Sequence, residues 1–112
     1  MNSYSLTIIP ATESEPELKI DTLDIKKAAI ILRAVNHKLR HMILKYIGEK
    51  GRVTVTEIFE HLFLEQAVAS QQLAILRRTG FVKTKREGKF IYYSVNRQRL
   101  LELNRFVSDL LG

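Results

Sequence analysis

Apolar residues recur at helical spacing over the first half of the chain. The first stripe predicts a helix that begins after Asp21 or Thr22, either of which can cap the free amides, and that runs to Val35. A second predicted helix follows Asn36, which favours the cap position, and ends near Gly51. The residues predicted to point inward from it are Leu39, Met42, Ile43, Tyr46 and Ile47.

Two further helices are predicted close together. Thr54 and Glu57 fit a capping box, in which each side chain accepts a hydrogen bond from the other's backbone amide, and this predicts a short third helix. After a turn near residues 63–65, a fourth helix is predicted from about Gln66 to Arg78, with Gly80 as its stop. The predicted core residues are Ile58, Phe59 and Leu62 of the third helix and Val68, Leu73, Ile75 and Leu76 of the fourth.

The period then changes from helical spacing to alternation. Residues 82–86 and 90–95 are rich in β-branched and aromatic side chains, and Gly88 lies between them, which predicts a hairpin. A last helix is predicted from about Arg97 to Leu111.

Residues 1–20 differ from the rest. Residues 5–9 could form a short strand, but Pro10, Pro16 and the acidic spacer favour an irregular arm. We therefore divide the chain into an acidic arm, residues 1–20, and one domain, residues 21–112.

The order of these elements predicts a fold class. A mainly α chain with a small β-hairpin, in which two helices separated by a short turn are followed by that hairpin, is typical of a winged helix-turn-helix. In this arrangement the second helix of the pair fits the major groove of DNA, and the hairpin reaches the flanking backbone or minor groove.

Charge agrees with a polyanion as partner. The net charge is +6, yet residues 1–24 carry five acids against one base, so the remainder carries about +10. Residues 77–99 alone hold eight bases and one acid, Glu87. Clustered cations favour nucleic acid because each neutralised phosphate releases counterions, although a solubilising surface would show the same charge.

Three segments resemble the ArsR-type repressors. Residues 36–44 (NHKLRHMIL) resemble the start of that family's second helix, residues 66–82 (QAVASQQLAILRRTGFV) its recognition segment, and residues 86–93 (REGKFIYY) its wing. The match covers roughly residues 25–110 in the family's order. It departs at Ala67, at Gln72 where the family usually has His, and at Glu65 where many relatives have Ser.

The resemblance implies a sequence-specific regulator of transcription, most simply a repressor, that binds a palindromic operator as a homodimer. The family dimerises through its first and last helices, whose apolar stripes here exceed what the core can cover. The expected dimer residues are Leu23, Ile31, Leu103, Phe106, Val107 and Leu110.

Candidate DNA contacts lie on the fourth helix and the hairpin. Gln and Ser can bond base edges or phosphates, and basic side chains at a hairpin tip can contact the backbone, although they also protect edge strands. Gln72 could reach the DNA backbone or could brace a neighbouring helix. Arg40 could bond a phosphate or could pair with Glu57 or Glu60. The predicted contacts are Gln66, Ala67, Ser70, Gln71, Gln72, Arg77, Lys85, Arg86, Lys89 and Arg40.

Other classes of function find less support. The chain has no cysteine, and His37 and His41, although spaced i, i+4, are too few to hold a structural zinc, so we predict no metal and no cofactor. No catalytic constellation is recognisable, and no run is long and apolar enough to cross a membrane. We expect a cytoplasmic protein that is not an enzyme. Its effector is left open between a small molecule, a partner protein and none. The alternatives to a DNA-binding regulator are a winged-helix module that binds protein and one that binds RNA.

Overall fold

The computed structural model describes residues 4–112. Contacts group the chain into two compact units, one extending to Arg33 and the other from Ala34 to Gly112. Among the described residues, no helix has the length and apolar character required to span a bilayer. The elements are β1 (Ser5–Ile8), β2 (Leu18–Asp21), α1 (Thr22–Val35), α2 (Lys38–Lys50), α3 (Val55–His61), α4 (Gln66–Arg78), β3 (Val82–Glu87), β4 (Phe90–Val95) and α5 (Arg97–Leu111).

The N-terminal segment forms a hairpin, so the prediction of an irregular arm was wrong. Strands β1 and β2 pair antiparallel, with Leu6 opposite Ile20 and Ile8 opposite Leu18. Both prolines fall in the connection, where their missing amide protons disturb no strand pairing. The hairpin leads directly into α1, and the side chain of Asp21 caps that helix by accepting a hydrogen bond from the Leu23 amide (2.8 Å).

Helices α2, α3 and α4 enclose the core of the second unit. The largest fully buried side chains include Ile43, Ile47, Ile58, Leu73 and Leu76. Burial of these apolar side chains is the main source of the unit's stability. Met42, which we predicted to point inward, is 44% exposed, and Leu44, two residues later, is buried instead.

The helix starts agree with the predictions, with one exception. Thr54 caps α3 through the predicted capping box with Glu57. At the start of α2 the cap position belongs to His37, whose side chain makes no capping hydrogen bond, so the prediction of Asn36 as the cap was wrong by one residue.

Strands β3 and β4 form the predicted hairpin, which we call the wing (residues 82–95). Glu87 pairs with Phe90, and Gly88 in the turn has φ +62°, a conformation that a side chain would oppose. Val53 joins the base of the wing by a two-way backbone bridge to Tyr93. A mainly α fold with a β-hairpin wing is therefore confirmed.

Candidate nucleic-acid interface

Helix α4 has one buried side and one polar, exposed side. Its bounds, Gln66–Arg78, are those predicted. Ala69, Leu73 and Leu76 are buried against the core, which fixes the rotation of the helix about its axis. The structure leaves five predicted contacts exposed to solvent on this helix, namely Gln66, Ala67, Ser70, Gln71 and Arg77. These side chains are therefore accessible from solvent.

Two predicted contacts, Arg40 and Gln72, bind each other instead. The Arg40 Nη1 donates to Gln72 Oε1 (2.7 Å), and its Nε donates to the carbonyl of Ala34. Arg40 is only 9% exposed, and Gln72 is half-buried. These two hydrogen bonds involve neither Glu57 nor Glu60, the acids we considered for Arg40. They direct the guanidinium towards α4 in this conformation, and a phosphate contact by Arg40 stays a prediction.

The wing carries the predicted cations at its tip. Lys85, Arg86 and Lys89 are all exposed. Arg86 Nε donates to the Gly88 carbonyl (3.2 Å), which ties this side chain to the turn, whereas the Lys89 ammonium lies over the Phe90 ring, 5.4 Å from its centroid. The tip therefore presents three cationic groups, of which at least Arg86 is held in place.

Glu87, the acid within the basic residues 77–99, is paired with cationic side chains. Its carboxylate lies 2.9 Å from Arg52 Nη1 and 3.8 Å from the Lys85 ammonium. The hydrogen bond from Arg52 holds the pKa of Glu87 below its ordinary value, and Glu87 in turn raises the pKa of Arg52. Arg52 also stacks over the Tyr92 ring at 4.1 Å. We call this group the Arg52 clamp (Arg52, Glu87 and Tyr92).

The sequence analysis did not identify Arg52. The one indication available was Glu87 itself, because a lone carboxylate among eight bases would repel DNA phosphates unless a cation covered it. Nothing in the local pattern shows that the cation comes from the link between α2 and α3, 35 positions earlier in the chain.

The predicted dimer residues are unevenly exposed in the single chain. On α5, Phe106 and Leu110 are 52% and 70% exposed, while Leu103 and Val107 are half-buried. On α1, Leu23 and Ile31 are half-buried. Helix α5 has no fully buried residue although its apolar side chains share one face, so this face is available to a partner.

Comparison with known proteins agrees with this geometry. Residues 37–84 match the model of the arsR family of bacterial regulatory proteins. A helix-turn-helix transcriptional regulator of Methanocaldococcus jannaschii is 35% identical over 85 residues, which cover 76% of this chain and 96% of the relative. The chain belongs to the ArsR family. Its members act as regulators of transcription, and this chain is an ArsR-family DNA-binding regulator.

Two further relatives add detail to the ArsR assignment. The biofilm growth-associated repressor of Agrobacterium fabrum is 34% identical over 77 residues, 69% of this chain and 65% of that protein. The homodimeric winged helix-turn-helix DNA-binding domain of a possible ArsR-family regulator from Mycobacterium bovis superposes with a TM-score of 0.63. It is 27% identical and covers 78% of this chain and 82% of that domain.

The three histidines of this ArsR-family chain occupy two parts of the fold. His37 and His41 are exposed at the start of α2, whereas His61 stacks on Tyr46 with ring centroids 4.2 Å apart. Within residues 4–112, no three His, Asp or Glu side chains gather where they could hold a metal ion.

Proposed function

We propose that this ArsR-family chain represses transcription by binding a palindromic operator as a homodimer. The observation that carries the proposal is the two-sided character of α4: apolar residues anchor one side in the core, and Gln66, Ser70 and Gln71 are exposed on the first half of the helix. A helix of this kind fits the major groove. The Agrobacterium relative is named a repressor, which supports the direction of regulation.

Each set of contacts would have its own role. Gln66 and Gln71 are suited to adenine edges, which an amide can bond bidentately, and Ser70 to a base or a phosphate. Ala67 is small enough to let the helix approach and to contact a thymine methyl. Arg77 and the wing cations Lys85, Arg86 and Lys89 would contact the backbone, and Arg40 and Gln72 would position α4.

The dimer would form through α1 and α5. The exposed apolar face of α5 supports this, as does the homodimeric state of the Mycobacterium domain. Two-fold symmetry then places the two α4 helices in successive major grooves, about 34 Å apart. The proposal treats residues 1–20 as a segment separate from the DNA-binding and dimerisation domain at 21–112. It also assigns the protein to the cytoplasm and gives it no enzymatic role.

Gln71→Ala tests the sequence-reading role of α4. Operators would first be selected from random duplexes. The variant should bind the selected operator about tenfold more weakly, because one bidentate base contact contributes about 1–3 kcal/mol, and should bind random duplex as before. Gln98→Ala, on the exposed side of α5, is the matched control and should change neither affinity.

Lys89→Ala tests the wing. Loss of one phosphate contact should weaken specific and random binding about equally and lower the slope of log K against log salt by about 1 for each subunit. Lys50→Ala, at the exposed end of α2, serves as control. If neither Gln71→Ala nor Lys89→Ala changes binding to duplex, the DNA interface is not where we place it, and the protein-interaction or RNA-binding alternative is favoured.

A further inference from the structure

Phe63 has a backbone conformation that a phenylalanine rarely adopts. It lies in the turn between α3 and α4 with φ +56°, and within residues 4–112 it is the one residue other than glycine with a positive φ. Glycine, asparagine and aspartate tolerate this region best, because they lack a bulky side chain or can bond the local backbone. A phenyl ring offers neither advantage, so the backbone alone does not account for phenylalanine at this position.

Packing does not account for it either. The Phe63 side chain is 95% exposed, more than any other large apolar residue among those described. Aromatic side chains normally contribute to stability by leaving water, and this one does not. Exposed apolar residues are ordinary when they are scattered. An apolar residue that is almost fully exposed and also has an unfavourable backbone conformation is unusual.

The turn holds the backbone of Phe63 close to the proposed DNA contacts. The Leu62 amide donates to the Ile58 carbonyl (3.0 Å), and the Leu64 amide donates to the Phe59 carbonyl (2.9 Å), so both neighbours of Phe63 are tied to α3. Gln66 begins α4 three residues later, and three residues span at most about 11 Å. If the first half of α4 enters the major groove, the backbone of Phe63 lies within about 11 Å of the first residue of that helix, close enough for its ring to reach the edge of the same groove.

We propose that Phe63 contacts the 5-methyl group of a thymine at the edge of each half-site. The inference rests on the proposed function and adds a specificity-determining residue to it. The thymine methyl is the apolar group that a base pair presents in the major groove, and phenylalanine is among the side chains that contact it. On binding, the ring would leave water, which the free protein does not allow. Phe63 therefore selects thymine over cytosine at one position, because cytosine lacks the methyl group that the ring contacts.

Deoxyuridine provides the test, because it removes the methyl and keeps the Watson–Crick pairing. Each thymine of a selected operator would be replaced in turn, symmetrically in both half-sites. For the wild-type chain, one replacement should weaken binding about fourfold per half-site, the effect of one buried methyl-sized group. Phe63→Gly should bind the unmodified operator at least about fourfold more weakly per half-site, because the whole ring contact is lost, and should be insensitive to that replacement.

Stability separates this role from a structural one. Glycine adopts φ +56° freely, so Phe63→Gly should melt at the same temperature as the wild type or higher while binding the operator more weakly. Phe63→Asn, which also tolerates this conformation, should behave in the same way.

Two outcomes would overturn the inference. One is operator binding by the wild type that no deoxyuridine replacement weakens. The other is an equal loss in the wild type and in Phe63→Gly, which would show that another residue contacts the methyl. In both cases Gln71→Ala would still reduce operator preference, so the proposed function would survive. Failure of the wild type to prefer any duplex would instead refute the proposed function.

Discussion

Arg40 shows how one buried side chain can position a recognition helix. A guanidinium removed from water is stable only when its donors are bonded, and Arg40 donates to the Ala34 carbonyl and to Gln72 on α4. Because Gln72 is neighbour to Gln71, the orientation of the Arg40 pair determines where the proposed base contact lies. In the proposed complex, Arg40 would therefore act on DNA binding through the placement of α4.

Arg40→Met separates this role from a phosphate contact. The variant retains much of the apolar stem but leaves the Gln72 amide and the Ala34 carbonyl without the guanidinium, which should lower the free energy of unfolding by about 2 kcal/mol in urea titrations. The salt dependence of DNA binding should stay unchanged. Lys38→Met, at an exposed position of the same helix, is the control. A salt slope reduced by about 1, with stability intact, would restore the phosphate role.

Single residues were predicted well where the determinants are local. The Thr54–Glu57 capping box depends on residues three apart and was confirmed. The partners of Arg40 lie 6 and 32 residues away, and helical periodicity carries no information about such pairs. The conformation of Phe63 was missed for a different reason: phenylalanine is not a typical turn residue, so nothing in the sequence indicates a positive φ at this position.

Among the elements, the end of α4 depends on a glycine. Gly80 has φ +85°, and a Cβ there would lie 3.3 Å from Arg99 Nε, which itself donates to the Thr79 carbonyl (3.2 Å). Both the left-handed backbone conformation and the short distance to the Arg99 side chain therefore favour glycine at position 80. Gly48, inside α2, has a helical backbone, and a Cβ there would meet the Val95 side chain at an ordinary 3.8 Å.

These two glycines should respond to alanine with opposite signs. Gly80→Ala should lower the free energy of unfolding by about 1–2 kcal/mol, the cost of a left-handed conformation for an L-residue. Gly48→Ala should raise it by about 0.5–1 kcal/mol, because alanine loses less entropy in a helix. Thermal unfolding followed by circular dichroism measures both. Equal changes in the two variants would contradict this account of Gly80.

The titration of Glu87 tests the Arg52 clamp. The folded pKa of Glu87 is lowered, so its contribution to stability is complete above the ordinary carboxyl pKa of 4.5 and is lost as the pH falls through the lower folded value. Carbon-13 NMR of the Glu87 carboxyl should show a titration midpoint below 4.5 that rises in Arg52→Gln. An unchanged midpoint in that variant would show that Arg52 does not hold the carboxylate.

Element prediction succeeded where one face of the element is buried. Helices α4 and α5 begin and end as predicted, since their apolar stripes, and for α4 the stop at Gly80, are explicit in the sequence. The β1–β2 hairpin was missed because its strands are short and exposed on all positions, and because the prolines and acids of the connection dominate the composition. Without a buried face there is little alternation to detect.

At the scale of the whole molecule, α5 has an apolar face that a single chain does not cover. It is the longest helix and has no fully buried residue, and Leu111 at its end is 81% exposed. Association through this face would bury apolar surface that otherwise meets water. DNA affinity and self-association should therefore be linked, because a dimer engages two half-sites.

Phe106→Asp should separate the subunits. A carboxylate in the apolar face of α5 would have to be buried at the interface without a partner, so sedimentation should show a monomer at concentrations where the wild type is a dimer. Operator affinity should fall at least about a hundredfold, on the order of 3 kcal/mol of binding free energy, because the two half-sites are no longer bound together. The circular dichroism spectrum should be retained. Ser108→Asp, on the polar side of α5, should stay dimeric. A dimeric Phe106→Asp would move the interface elsewhere.

Asn96 connects the proposed dimer helix to the recognition helix. Its backbone amide donates to the Phe81 carbonyl, its side-chain amide donates to the Gly80 carbonyl, and its side-chain oxygen accepts from Arg99 at the first turn of α5. These bonds leave little freedom between the end of α4 and the start of α5. In the proposed dimer, a signal that twisted the paired α5 helices by a few degrees would therefore change the spacing of the two α4 helices. Such a signal could release the operator from a distance, without displacing a single base contact directly.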